Sequence, residues 1–128
     1  MDQVSLGERE LDVMTVLWTA GPGTVAEVKE RLPAALAYNT VLTILRNLEA
    51  KGLVEHEVEG RVFRYCPVVT QEAVKGSAVS RLVAKFFAGS PVDAMAHLLE
   101  SGSISAAELR ALHEHLDARL REMESENA

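Results

Sequence analysis

Residues 37–67 read AYNTVLTILRNLEAKGLVEHEVEGRVFRYCP, a helical pattern followed directly by two short alternating runs. The first part predicts an amphipathic helix over residues 37–51 that ends at Gly52. The apolar face of this helix consists of Val41, Ile44, Leu45 and Leu48. The runs 53–58 and 61–66 alternate apolar and polar side chains, as the two strands of a hairpin do. The segment therefore predicts a helix followed by a β-hairpin.

The hairpin is expected to turn at Glu59 and Gly60, two residues that suit a tight turn. That turn pairs Val58 with Arg61 and sets the register of the two strands. In this register the remaining cross-strand neighbours are His56 with Phe63, Val54 with Tyr65 and, on the other face, Glu55 with Arg64.

Two further helices are predicted upstream. The sequence SLGE at residues 5–8 has the spacing of a capping box and predicts the start of one helix, which Gly-Pro-Gly at residues 21–23 ends. A second capping box, TVAE at residues 24–27, opens a short helix that Pro33 breaks. Three helices and a hairpin are typical of a winged helix-turn-helix, which we assign to residues 1–69.

Residues 70–128 carry a wholly helical pattern. Ser90 and Pro91 suit the start of one helix, and SAAE at residues 105–108 is a third capping box. These helices are too few for a core of their own yet have broad apolar faces, so we expect them to form a helical homodimerisation domain. The side chains expected in the dimer are Val74, Leu82, Phe86, Leu98, Leu109, Leu112, Leu116 and Leu120.

The composition indicates a globular, cytoplasmic protein. No basic-then-apolar leader and no run long enough to span a membrane are present in the 128 residues, and the single cysteine, Cys66, cannot form an internal disulfide. The formal net charge is −6, and residues 1–68 carry 7 Lys and Arg against 10 Asp and Glu. However, residues 34–47 include one Arg and no acid, so a DNA-binding face can be locally positive on an acidic chain.

The helix at residues 37–51 presents short polar side chains opposite its apolar face, as a helix that enters the major groove requires. The same pattern also fits the solvated face of an ordinary helix, and the two arginines of the hairpin favour the DNA-binding interpretation. The candidate contacts to double-stranded operator DNA are Tyr38, Asn39, Thr40, Thr43, Arg46, Arg61 and Arg64.

The chain resembles the penicillinase repressor (BlaI/MecI/CopY) family. The similarity lies in LAYNTVLTILRNL at residues 36–48, KGLV at residues 51–54, RYCP at residues 64–67 and the upstream residues 10–18. Beyond Thr70 it is only architectural. The resemblance implies a mainly α winged-helix repressor that dimerises through its C-terminal helices and recognises a dyad of TACA/TGTA-like half-sites, with the DNA contacts named above.

Two departures from the family pattern concern induction. Copper-responsive members hold metal through closely spaced C-terminal cysteines, which this chain lacks, so we expect no metal site of that kind. β-Lactam-responsive members are cut by a membrane sensor protease at an Asn-Phe bond, and the aligned dipeptide here is His97-Leu98. We therefore expect altered or absent proteolysis at this position.

Other functions have weaker support in the sequence. The acidic balance leaves open a winged-helix protein-interaction module without sequence-specific DNA binding. A direct metal or small-molecule sensor lacks a ligand cluster, because His113 and His115 point to different sides of a helix. No nucleophile and base, phosphate loop or carboxylate pair indicates an enzyme or a cofactor.

Overall fold

The computed structural model describes residues 6–127, which form six helices and three short strands. In chain order the elements are α1 (Glu8–Ala20), β1 (Gly23–Thr24), α2 (Val25–Arg31), α3 (Tyr38–Ala50), β2 (Val54–Glu59), β3 (Val62–Pro67), α4 (Gln71–Phe86), α5 (Pro91–Glu100) and α6 (Ala106–Glu126). The strands form one antiparallel sheet in the order β1-β3-β2. This architecture confirms the predicted winged helix. None of the described helices is long and apolar enough to cross a membrane.

The core lies between α1, α2, α3 and the base of the sheet. Its largest fully buried side chains are Tyr65, Met14, Leu17, Leu45, Leu48 and Leu53. Full burial of a Val or Leu side chain contributes roughly 1.5–3 kcal/mol, whereas an exposed ion pair contributes about 0–1 kcal/mol. Apolar burial therefore sets the rotation of α3 about its axis, and surface charges do not.

The hairpin register differs from the sequence-based prediction. Glu59 pairs with Val62 and Val58 pairs with Phe63, so the two-residue turn is Gly60-Arg61 and not Glu59-Gly60. Gly60 has a φ of 64°, a value that glycine adopts without steric cost, while Arg61 keeps a negative φ. A glycine is favoured at the first central position of such a turn, which explains the shift of one residue. Each side chain stays on its predicted face.

Two of the three predicted capping boxes are confirmed. The Thr24 hydroxyl accepts a hydrogen bond from the Glu27 amide at 3.2 Å, and the Glu27 carboxylate accepts one from the Thr24 amide at 3.0 Å. Ser105 and Glu108 exchange the same two bonds at 3.1 and 2.9 Å. These pairs satisfy amides that the first turns of α2 and α6 leave free.

The start of α1 is different. Ser5, the predicted cap, lies outside the described residues, and α1 begins at Glu8 with Gly7 in extended conformation before it. The Gly7 amide donates to the Glu10 carboxylate at 3.0 Å, and Lys51 at the end of α3 lies 2.7 Å from the same oxygen. The carboxylate that accepts from an amide before the helix is therefore that of Glu10, whereas the sequence assigned this role to Glu8. Lys51 holds the Glu10 carboxylate in place.

By their internal contacts the residues form two compact units, one ending at Arg81 and one beginning at Leu82. The division therefore falls within α4, whereas the sequence placed the functional boundary between residues 69 and 70. Contacts within one chain do not test which residues dimerise, so that boundary stays a prediction.

Between residues 71 and 126 no side chain of a helix is buried. The ring of His97 lies 5.8 Å from that of Phe87.

Candidate nucleic-acid interface

Helix α3 divides into a buried face and a polar face. Its buried side chains are Val41, Ile44, Leu45 and Leu48. Its exposed side chains include every candidate DNA contact predicted on this helix, namely Tyr38, Asn39, Thr40, Thr43 and Arg46. The first turn of α3 is exposed at Tyr38, Asn39 and Thr40, so these side chains are accessible to a ligand. The predicted outward face is thus present as one surface.

The wing, which is the hairpin of β2 and β3, brings the guanidinium of Arg61 close to the start of α3. Arg61 lies at the tip of the wing, and its exposed side chain lines a pocket of about 190 Å³ together with Tyr38. Within residues 6–127, neither Arg46 nor Arg61 forms an ion pair or hydrogen bond. Each guanidinium therefore keeps its donors available for phosphate or a base edge.

Arg64, also predicted to contact DNA, is instead bound within its own unit. Its Nε and Nη2 donate to the two oxygens of Glu59 at 2.8 and 2.9 Å, and its Nη1 donates to Glu27 at 3.0 Å and to the Pro22 carbonyl at 3.3 Å. These bonds occupy most of the five N–H donors of a guanidinium. Arg64 ties β3 to the wing tip and to the start of α2, and its contact with DNA stays a prediction.

The carboxylates of this network have lowered pKa values. Hydrogen bonds from Arg64 lower the pKa of Glu59. The pKa of Glu27 is lowered first by the Thr24 amide and then by the charge of Arg64. Both carboxylates therefore stay ionised as the pH falls through the ordinary range, and their pairing with Arg64 is lost only below it.

A second contact joins the wing to the end of α3. Nδ1 of His56 lies 2.7 Å from Oε2 of Glu49, and the imidazole stacks on Phe63 with ring centroids 4.1 Å apart. Sequence analysis missed this pair, as it missed β1, whose two residues are too short for a strand pattern. The proximity of Glu49 and His56 depends on how the wing folds back, which seven residues of spacing do not indicate.

The remaining candidate residues lie in or near the C-terminal helices. Exposed apolar side chains there include the predicted dimer residues Leu82, Phe86, Leu98, Leu109, Leu116 and Leu120. Val74 and Leu112 are half-buried. The dipeptide His97-Leu98 lies inside α5, and His113 is 3.4 Å from Asp117 on α6.

Burial and the neighbouring Glu57 and Glu55 raise the pKa of the Cys66 thiol in β3, which disfavours a reactive thiolate.

Comparison with known proteins finds a family whose model matches most of the chain. The family model described as penicillinase repressor matches residues 6–118. The transcriptional regulator BlaI of Mycobacterium tuberculosis is 39% identical over 118 residues, which cover 88% of this chain and 86% of that protein. A penicillinase repressor of Bacillus licheniformis is 27% identical over 114 residues, with coverages of 88% and 89%. The solution structure of the DNA-binding domain of the repressor BlaI aligns with a TM-score of 0.50 and 32% identity, over 55% of this chain and 88% of that domain.

The pairing of Arg64 gives a prediction for the titration of its two partners. In carboxyl NMR titrations we expect midpoints below 4.5 for both Glu59 and Glu27. The substitution Arg64→Gln will raise the midpoint of Glu59 more than that of Glu27, because Glu27 keeps the Thr24 amide. Arg9→Gln, which removes a guanidinium from α1, serves as the control. An unchanged Glu59 midpoint in Arg64→Gln contradicts the pairing.

Proposed function

The chain belongs to the penicillinase repressor family, and on this premise we propose that it represses transcription as a homodimer bound to a dyad of TACA/TGTA-like half-sites in operator DNA. Family and fold together make it a transcriptional regulator with a winged-helix DNA-binding domain. The observation that supports the finer proposal is the exposed polar face of α3, whose first residue, Tyr38, lines a pocket together with Arg61, which is unpaired within residues 6–127. The proposal places the chain in the cytoplasm, with no cofactor and no catalytic role.

In this proposal α3 enters the major groove, which an α-helix fits. Asn39 and Thr43 lie on its outward face, and their short polar side chains would let the helix approach the base edges closely. Arg46, farther along the same face, is suited to hold a phosphate or a guanine. Arg61, which lines a pocket together with Tyr38 of α3, would contact the DNA backbone beside the helix.

The acidic net charge weakens long-range attraction to DNA, but three carboxylates near the face have hydrogen-bonded partners. Glu27 and Glu59 are bound to Arg64, and Glu49 is bound to His56. Arg64 brings one positive charge to two carboxylates, so among the candidate contacts the cations left to attract a phosphate at α3 are Arg46 and Arg61. Local charge, rather than the total, supports DNA binding here.

The homodimer is proposed from the apolar surface of the C-terminal helices. Phe86 is 78% exposed and Val92 is 74% exposed. The leucine stripe of α6, which consists of Leu109, Leu112, Leu116 and Leu120, is exposed at all positions but the half-buried Leu112. Water contact with this much apolar surface is costly, and a symmetric partner would cover it at the same positions on both chains. Two linked half-site contacts would then give the dimer its operator affinity.

Relief of repression is proposed to follow a route other than cleavage by a standard sensor protease. His97-Leu98 replaces the Asn-Phe dipeptide that the resemblance implies. The bond also lies inside α5, with the His97 ring close to Phe87, so a protease must first open the helix locally. Any event that separates the C-terminal helices would equally lower operator affinity, because dimerisation and DNA binding are linked.

The DNA proposal predicts two different losses of affinity. Asn39→Ala will cost about 1–3 kcal/mol on the preferred duplex and relax sequence preference, because a base contact is removed. Arg46→Ala will weaken binding to all sequences and lower the salt dependence by about one phosphate contact. Both are measured by fluorescence anisotropy over a salt series, with Arg9→Ala on α1 as the unchanged control. If neither substitution affects binding, the protein-interaction alternative takes its place.

The dimer proposal predicts that charge on the leucine stripe separates the chains. Leu112→Glu with Leu116→Glu will give a monomer at micromolar concentration, with the N-terminal winged helix still folded by circular dichroism and NMR. Ala111→Glu with Ala118→Glu adds the same two carboxylates opposite the stripe and will leave the dimer intact. Light scattering after size exclusion measures both masses. A wild-type chain that is monomeric under these conditions contradicts the proposal.

The induction proposal predicts that β-lactam exposure of producing cells leaves the bond after His97 uncut. Intact mass spectrometry of the chain before and after exposure measures this. The variant His97→Asn with Leu98→Phe restores the dipeptide that the family's protease accepts and is the matched control for a functional sensor. A wild-type fragment ending at His97 contradicts the proposal.

A further inference from the structure

Thr43 is the residue of the outward face whose hydroxyl is already in use. Its Oγ1 donates to the carbonyl oxygen of Asn39, one turn earlier in α3, at 2.9 Å. A threonine hydroxyl carries a single hydrogen, so Thr43 cannot also donate to a base while this bond persists. This bond belongs to one of the χ1 rotamers that threonine adopts in a helix, so while it persists the side-chain methyl group keeps one position on Cβ.

Thr40 gives the contrast on the same face. It is exposed three residues before Thr43, and its hydroxyl makes no hydrogen bond within residues 6–127. Its hydrogen therefore remains available to a base or a phosphate. Two threonines of one helix face thus present different chemistry, a free hydroxyl at Thr40 and a methyl group with an acceptor oxygen at Thr43.

Thymine is the base that matches the chemistry of Thr43. In the major groove only thymine carries a methyl group, at C5, and apolar contact with it is a direct means of recognition. A methyl group held rigidly on the helix loses little entropy when it makes such a contact. We propose that Thr43 determines specificity for thymine through methyl–methyl contact, while its hydroxyl stabilises its own rotamer.

This inference rests on the proposed function, so the first step tests that function separately. The full-length wild-type chain selects its preferred duplex from a random library. Each thymidine of that duplex is then replaced in turn by deoxyuridine, which removes only the C5 methyl group. We expect one position in each half-site at which this replacement weakens wild-type binding about fourfold, the effect of ~0.8 kcal/mol for one buried methyl group.

Variants at Thr43 then separate the methyl group from the hydroxyl. Thr43→Ser keeps the hydroxyl, loses the methyl group, and will bind the thymine and uracil duplexes equally at that position. Thr43→Val keeps a methyl group, loses the hydroxyl, and will still distinguish the two duplexes about fourfold. The ratio between duplexes is the measured quantity, so a general change in affinity does not imitate the effect.

The matched control is Thr15 on α1. Its hydroxyl donates to the Leu11 carbonyl at 2.8 Å, the same bond that Thr43 makes, but it lies outside the candidate interface. Thr15→Ser will leave both affinity and the uracil effect unchanged. The proposal is overturned if Thr43→Ser keeps the uracil effect, or if Thr43→Val loses thymine preference while Thr43→Ser retains it. A library that yields no preferred duplex overturns the proposed function, and this inference with it.

Discussion

Val41, Leu45 and Leu48 are fully buried along one side of α3. Because the side chains of a helix have fixed directions relative to one another, burial of this side determines which residues of α3 face outward. The polar face therefore follows from packing, without any interaction of its own. Because several buried aliphatic side chains outweigh the exposed charges, no surface substitution is expected to rotate the helix. The candidate DNA contacts inherit their direction from the core.

The wing is held in another way, because its tip has little core. Val58 is 69% exposed, and Phe63 gains its contact mainly by stacking on His56. Ion pairs from Arg64 to Glu59 and Glu27 supply the attachment that apolar burial does not. This attachment uses one arginine of the wing and leaves the other, Arg61, at the tip. The two arginines, equivalent by sequence, thus have different roles by position.

Elements with a strong local signal were predictable from the sequence, whereas tertiary pairs were not. The periodicity of α3 and the capping boxes at Thr24 and Ser105 gave correct helices, since both depend on residues within one or two turns. The hairpin register depends on the backbone conformation of Gly60, which places the turn at Gly60-Arg61. The neighbouring pair Glu59-Gly60 contains the same glycine, so composition alone does not distinguish the two turns. Strand β1 and the contact of Arg64 with Glu27 form only when distant segments meet, so no local pattern contains them.

An acidic repressor has a particular balance between general and specific DNA binding. Attraction to phosphates supplies most of the sequence-independent affinity of any DNA-binding protein, and a net charge of −6 weakens it at long range. If the chain binds operator DNA as proposed, direct contacts to base edges must provide a larger share of the total binding free energy. Removal of one base contact then costs a larger fraction of operator affinity than it would on a basic protein. Under the same proposal, weaker binding to non-operator DNA would let a modest specific affinity still give occupancy of the operator.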